Sequence, residues 1–525
     1  MKLYFSGGLN ENQYPSLAEA ATGSFNFELA KDSTKLVPRA PFDLKGTATN
    51  ASDIRGFCQL IKRDDTETTL VQSGDTVYKW NGSSTFTNVG TVVSTSQLRD
   101  VYWSLGDYLV ITDLQKLTPV KKWDGTTFST LTTGLGATTL YAKYGVVWRG
   151  RTWLFNVTAG TDTPHLLVAS KFEDPTSYDI TLRAASTTFS ATGGTEAFYM
   201  LTPDLRPING VCLFYDQLVV STEGGKLFVM TGTGSTNYAF QEFYPKSNCV
   251  GPESIVSAGD DVYYMKVGGA IESLKATQRF GDVETDDLSR FILSTTNGLT
   301  ACKTVYDQTR QKVLFFVAGK VLVLFKDLLY EGALVDDKGT KQRVSPWSVY
   351  RTQLSAGLTP SAVKYMRKPG GTDYTVYFGD STGNIYDMNG VGVSGDAGTT
   401  AIQMQRKTRI IDDRDGLHTM RSVTKGRVEY SRVNQVSLSI TADWSDEYSS
   451  SVASVVLNGA TASTSGAYFG GSVYFGGAVY FSQGFAFAQR VSHKNFSHVG
   501  KGPGCTLTVS TEDNLPYQVN FIEFL

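Results

Sequence analysis

A chain of 525 residues is longer than one hydrophobic core usually organises, so it points to several domains or to a repeated architecture. Lys and Arg number 48 against 50 Asp and Glu, which excludes the strong positive field of a protein that grips nucleic acid non-specifically. Charged residues are only 19%, while 52 Gly stand among 27 Tyr and 29 Phe, a mixture that favours strands and tight turns over helices.

The opening residues, Met1-Lys2-Leu3-Tyr4-Phe5-Ser6-Gly7-Gly8, hold no apolar run of signal-peptide length, and no later stretch approaches about 18 uncharged apolar residues. The expectation is a protein that stays soluble and is not exported through a cleaved signal. Further along, short runs of Val, Leu, Tyr, Phe and Thr alternate with turns containing Gly or Asp, the grammar of β-hairpins. Seven hairpins are expected: Thr69–Val71 with Thr76–Trp80, Tyr108–Thr112 with Leu117–Trp123, Thr152–Asn156 with Leu166–Ala169, Gln217–Thr222 with Lys226–Met230, Val262–Lys266 with Ala270–Leu274, Val313–Val317 with Lys320–Phe325, and Tyr374–Phe378 with Asn384–Met388. The first two end alike, in Lys79-Trp80-Asn81-Gly82 and Lys122-Trp123-Asp124-Gly125, and their Trp residues stand about 43 positions apart, within the repeat length of WD40-type propeller blades. Over all seven the mean step is about 51 residues, which implies inserted loops between some blades.

The texture changes near residue 400, first to a charged stretch from Arg406 to Arg432, then to alternating strands such as Val436–Ile440, Thr506–Val509 and Tyr517–Glu523. The fold class read from this pattern is all-β: an N-terminal extended segment over 1–48, a six- or seven-bladed β-propeller over 49–400, and a C-terminal antiparallel β-sandwich over 401–525. Helix is expected only as short turns at Ser16–Ala21 and Asp286–Leu293.

Motifs that carry chemistry are incomplete. Gly379-Asp380-Ser381-Thr382-Gly383 has the spelling of a nucleophile elbow, but a strand follows where a helix is required, so a hairpin turn is expected. The four histidines, His165, His418, His493 and His498, pair with no motif, and a separation of five between the last two suits neither a strand face nor a zincin helix. Acidic doublets such as Asp64-Asp65, Asp260-Asp261 and Asp412-Asp413 fall in expected turns, and Asp413-Arg414-Asp415-Gly416 has Ile411 and Ser422 where an EF-hand loop needs acidic ligands. Ser73-Gly74-Asp75-Thr76-Val77-Tyr78-Lys79-Trp80 approaches an Asp-box, with Val77 in place of the glycine. The five cysteines, Cys58, Cys212, Cys249, Cys302 and Cys505, form no Cys-x-x-Cys pair and read as buried thiols. No catalytic, cofactor-binding or metal-ligating residue is therefore assigned, no cofactor is expected, and the chain reads as structural and not as an enzyme.

The first forty residues carry the most specific text: Gly7-Gly8-Leu9-Asn10-Glu11-Asn12, then Tyr14-Pro15, Gly23-Ser24-Phe25-Asn26-Phe27, and Lys35-Leu36-Val37-Pro38-Arg39-Ala40-Pro41-Phe42. This resembles the opening of the nozzle, or tail-tubular B, proteins of short-tailed bacteriophages and the related packaged-DNA stabilisation proteins. Leu36, Arg39 and Pro41 match that family's Leu-x-x-Arg-x-Pro ending. The resemblance implies a virion protein made in the host cytoplasm, a ring of usually six copies beneath the portal adaptor, contact with tail fibres or tailspikes, and a channel through which genomic DNA passes without sequence-specific binding or stable membrane insertion. The alternative is a propeller-type tail protein that binds or hydrolyses glycans.

Two segments are expected to contact neighbours. From Arg406 to Arg432 the cations Arg406, Lys407, Arg409, Arg414, Arg421, Lys425, Arg427 and Arg432 outnumber Asp412, Asp413, Asp415 and Glu429 two to one. In 468–481 Tyr-Phe recurs every six residues, so an extended strand would place Tyr468, Tyr474 and Tyr480 on one face and Phe469, Phe475 and Phe481 on the other. The candidate interface residues are Arg406, Lys407, Arg409, Arg414, Tyr474, Phe475, Tyr480 and Phe481.

Overall fold

The structure is a computed structural model that describes residues 2–3, 8–11, 19–29, 36–101, 107–131, 139–159, 161–178, 197–232, 237–244, 249–259, 261–274, 288–331, 333–335, 341–343, 345–354, 357–390, 395–408, 422–432, 436–444, 450–457, 491–501, 505–511 and 517–524. They fall into two compact units, Asp43–Val321 with Ser355–Asn389, and Met1–Phe42 with Leu322–Leu354 and Gly390–Leu525. The hairpin pattern keeps 322–354 inside the repeat, with breaks after 48 and 400. The chain instead changes unit within strand Lys320–Phe325, whose apolar run continues without a break.

The first unit carries six antiparallel sheets whole and the first two strands of one more. Their first strands are Ile54–Ile61, Leu98–Val101, Leu140–Trp148, Ile208–Phe214, Ile255–Ser257, Lys303–Asp307 and Ala362–Arg367. Each neighbours the next, and the seventh neighbours the first, so the sheets close into a ring around an axis: a β-propeller. Six of the seven hairpins expected from the sequence are the middle pair of a four-stranded sheet, and the fifth, Val262–Met265 with Ile271–Ser273, is the last pair of a sheet with three described strands. The seventh sheet takes its fourth strand from Asp43–Thr47, which pairs with Asn384–Asp387 in the register Thr47 to Asn384 and Asp43 to Asp387.

The apolar residues are buried between neighbouring sheets and not along the axis. Cys58, Leu60, Leu70 and Val77 meet Leu98, Leu109, Ile111 and Trp123 between the first and second sheets. Ile54, Phe57, Val71 and Trp80 meet Ala362, Met366, Tyr377 and Ile385 between the first and seventh. Strands covered on both faces need continuous apolar runs, and Leu109–Asp113, Lys312–Val317 and Val262–Met265 are buried throughout. The two repeated Trp residues end third strands and fill these seams, each followed by a turn that its Asn or Asp stabilises. Asn81 Oδ1 accepts from Ser83 N (3.0 Å), and Asp124 Oδ1 accepts from Thr126 N (2.8 Å) and Thr127 N (2.7 Å). Gly82 and Gly125 follow at φ 89° and 98°, a region that only glycine enters without strain.

The second unit is built from three chain segments. Phe27–Glu28 pairs with Val37–Pro38 as a ribbon. Two four-stranded sheets follow, one ordered Lys2–Leu3, Tyr517–Phe524, Ser422–Arg432, Val491–Lys501, the other Met404–Lys407, Cys505–Thr511, Val436–Trp444, Ser450–Leu457. Strands Ser450–Leu457 and Val491–Lys501 bring the two sheets together, and Ile440, Val509 and Ile522 are buried in them. The turn expected near Asp286–Leu293 is present as a 3₁₀ turn at Leu288–Phe291 and one helical turn at Leu293–Thr296. In the other expected helix, Ala20 bridges to Leu9 as extended chain, and 12–18 lie outside the described residues. A short helix at Lys326–Glu331 had no periodic signal long enough to be read.

Candidate functional site

Where the inner strands of the propeller begin lies a cavity of about 520 Å³, lined among others by Gln97, Lys143, Glu253, Lys303 and Thr359. Its floor is a charged strut across the axis. Glu253 Oε1 accepts from Arg99 Nε at 2.6 Å, and its Oε2 accepts from Lys303 Nζ. Arg99 also donates to the carbonyls of Arg55 (2.7 Å), Leu98 (2.7 Å) and Ser361 (3.2 Å), so one guanidinium joins the first, second, fifth and seventh sheets. Beside it Lys364 pairs with Asp100, whose Oδ2 also accepts from Gln59 N at 3.0 Å. Burial works to raise the Glu253 carboxyl, but the Arg99 and Lys303 charges outweigh it and hold it at about 2. Burial also pushes the Cys302 thiol, on the cavity wall, up to about 12. A thiol held protonated and a carboxylate held ionised by two cations equip this cavity to bind charge more than to move protons.

The second unit has its own buried polar centre, and it is made by the opening motif. Leu36 is buried, and Arg39 and Asp396 have fully buried side chains. Arg39 meets Asp396 with two parallel bonds, Nη1 to Oδ1 (2.8 Å) and Nη2 to Oδ2 (2.5 Å). It further donates to Asn26 Oδ1 (3.1 Å), Ala40 O (2.8 Å) and Arg351 O (2.9 Å), and its guanidinium lies 3.8 Å from the Phe42 ring centroid. Asp396 completes its shell with Phe42 N (2.9 Å) and Thr352 Oγ1 (2.6 Å). One arginine thus gathers all three chain segments of the unit, which a short motif cannot reveal because two of its partners, Asp396 and Arg351, lie more than 300 residues away.

Of the candidate interface residues, Arg406 is buried and does not face outward. It sits in strand Met404–Lys407, where Met404 and Arg406 are buried while Gln405 and Lys407 are half-buried, so the two-residue period turns it inward. Its guanidinium lies 5.1 Å from the Phe27 ring centroid, and burial, partly offset by the Glu19 charge, lowers it to about 9. Lys407 keeps an outward register, and its main-chain N–H donates to Ser24 Oγ at 2.9 Å. Arg409, Arg414, Tyr474, Phe475, Tyr480 and Phe481 lie outside the described residues, as do Asp412, Asp413 and His418.

The near-motifs resolve as turns. Gly379 ends strand Tyr374–Gly379, Ser381 is exposed, and Asp380 Oδ1 accepts from the N–H groups of Thr382 (2.8 Å) and Asn384 (2.9 Å). The Asp-box-like stretch spans the turn between Glu67–Ser73 and Thr76–Trp80. Among the described residues no three His, Cys, Asp or Glu side chains converge on a metal position. Cys58, Cys212, Cys249 and Cys302 are free thiols, all but Cys212 buried.

No protein-family model matches the chain, and no curated protein sequence matches it. Solved structures resemble its propeller. The WD40 β-propeller domain of Doa1 has a TM-score of 0.38 and 11% identity over 66% of this chain and 96% of that one. YCF48 bound to D1 peptide has 0.36 and 10% over 72% and 99%, and BBS1N in complex with ARL6DN has 0.40 and 8% over 67% and 98%. At such scores these likenesses add nothing to the ring of sheets itself, which defines the class: a β-propeller protein with a second all-β unit.

Proposed function

We propose that this chain is a structural protein of a short-tailed phage virion, a tail nozzle subunit that assembles with copies of itself and joins the portal adaptor to fibres or spikes. The observation that carries the reading is Arg39. The residues that match the nozzle family's opening, Leu36 and Arg39, are buried at the polar centre of the second unit, where Arg39 binds Asp396, Asn26 and the Arg351 carbonyl. A motif with that task belongs to an architecture and not to a catalytic site. The near-neutral charge balance suits a wall past which DNA moves without sticking, and on this reading the two sheets of the second unit form a platform-like sandwich.

Immunogold electron microscopy tests the reading on virions banded by density from the source culture, using antibody against the full chain. Label at the tail supports it. Absence of the chain from the virion band, or label confined to capsids or host cells, overturns it.

A further inference from the structure

The axial cavity of the propeller unit has more donors than it uses. Arg99 and Lys303 are both engaged by Glu253, the one carboxylate among the described lining residues. Lys143 reaches in from the third sheet, half-buried, and its ammonium makes no hydrogen bond or ion pair with a described residue. Asp162, whose carboxyl the Lys143 charge helps to lower, already accepts Lys116 and the Thr158 hydroxyl (2.7 Å). Gln97 and Gln115 also line the cavity, and neither side-chain amide makes a hydrogen bond with a described residue. Thr359 adds an open hydroxyl, while Leu114 and Val317 supply an apolar wall.

An entering group therefore meets surplus positive charge, neutral donors and hydrocarbon together. The geometry points to a binding site for a small organic anion, a carboxylate on an apolar body of a few carbons, held by Lys143 and the two glutamines with its hydrocarbon against Leu114 and Val317. The 520 Å³ volume falls within the ~300–1,000 Å³ of ligand clefts. Inorganic phosphate has the charge without the apolar part, and an alcohol of the same length has the apolar part without the charge. This site is independent of the virion reading, since it rests on the propeller unit alone.

Isothermal titration calorimetry of the full chain with hexanoate, 1-hexanol and inorganic phosphate tests it. Hexanoate is expected to saturate at millimolar concentration, with the alcohol and phosphate weaker by about tenfold or more, the scale of one charge-assisted bond. Lys143→Met should weaken hexanoate by about tenfold with an unchanged melting temperature. Gln115→Glu, at an exposed position, should weaken it through like-charge repulsion. No hexanoate binding by the unsubstituted chain, or equal binding of hexanol or phosphate, overturns the site. So does undiminished binding in Lys143→Met, or in Gln115→Glu should the first variant not fold.

Discussion

Replacing Arg39 by Met removes the guanidinium that the second unit is built around. Asp396, with its side chain fully buried, would keep only Phe42 N and Thr352 Oγ1 as donors, and the carbonyls of Ala40 and Arg351 would each lose one. Breaking a buried pair from one side typically costs about 3–5 kcal/mol. Two surviving donors to the carboxylate place this case near the lower end, about 3 kcal/mol. With two units the chain need not unfold in one step, so the loss is best read locally, by hydrogen exchange of the Ala397 amide, which donates to Phe42 O at 2.7 Å. Asp396→Leu alone should be comparably damaging, because it strands a buried cation. The double variant should lose less than the sum of the two by about 2 kcal/mol or more. If Arg39→Met costs under about 1 kcal/mol, or the two losses simply add, the account of a coupled buried pair is wrong.

Three further outcomes are expected. Glu253, held at about 2 against an ordinary 4.5, stabilises the propeller fully above about pH 4.5, and that contribution fades as pH falls through about 2. Glu253→Gln should therefore remove on the order of 2 kcal/mol from the pH dependence of stability at the acid end, read as a flatter acid limb of melting temperature against pH, and an unchanged limb would contradict the strut. Cys58, Cys249 and Cys302 should resist iodoacetamide in the native chain at mild alkaline pH, since burial raises all three thiols, Cys249 to about 11, and should label at once in denaturant; rapid native labelling, read by peptide mass, refutes this. Gly379→Ala should destabilise the propeller by roughly 2–3 kcal/mol, because a Cβ there would lie 2.2 Å from Ile54 Cβ, whereas exposed Ser381→Ala should stay within about 0.5 kcal/mol; calorimetry showing the reverse order defeats the turn reading.

The propeller was legible because each sheet advertises a hairpin locally. Gln217–Thr222 and Leu227–Thr231, for instance, are apolar runs split by Glu223-Gly224-Gly225. Outer strands such as Phe86–Thr91, mostly exposed or half-buried, give no such signal, and Asp43–Thr47 could not be assigned to a sheet whose other strands begin some 300 residues later. Arg406 shows the opposite failure: a count of charges along the chain ignores the strand period that turns every second side chain inward. The axial cavity was beyond reach for a further reason. Lys143, Glu253 and Lys303 belong to three different sheets, and only ring closure makes them neighbours.

The strand Asp43–Thr47 is made before every other strand of the ring, yet it lies beside one of the last, Asn384–Asp387. During synthesis it must wait for a partner roughly 340 residues behind it, and joining the two closes a loop whose entropy costs about 5 kcal/mol in chain-statistics terms. Until then the ring stays open, and the face of the first sheet that carries Ile54, Phe57, Val71 and Trp80 lacks the completed seventh sheet that covers it, an apolar surface open to other chains. The moment of vulnerability for this protein is thus set by translation time, and it ends when residues 384–387 leave the ribosome and find the strand that has been waiting since the beginning.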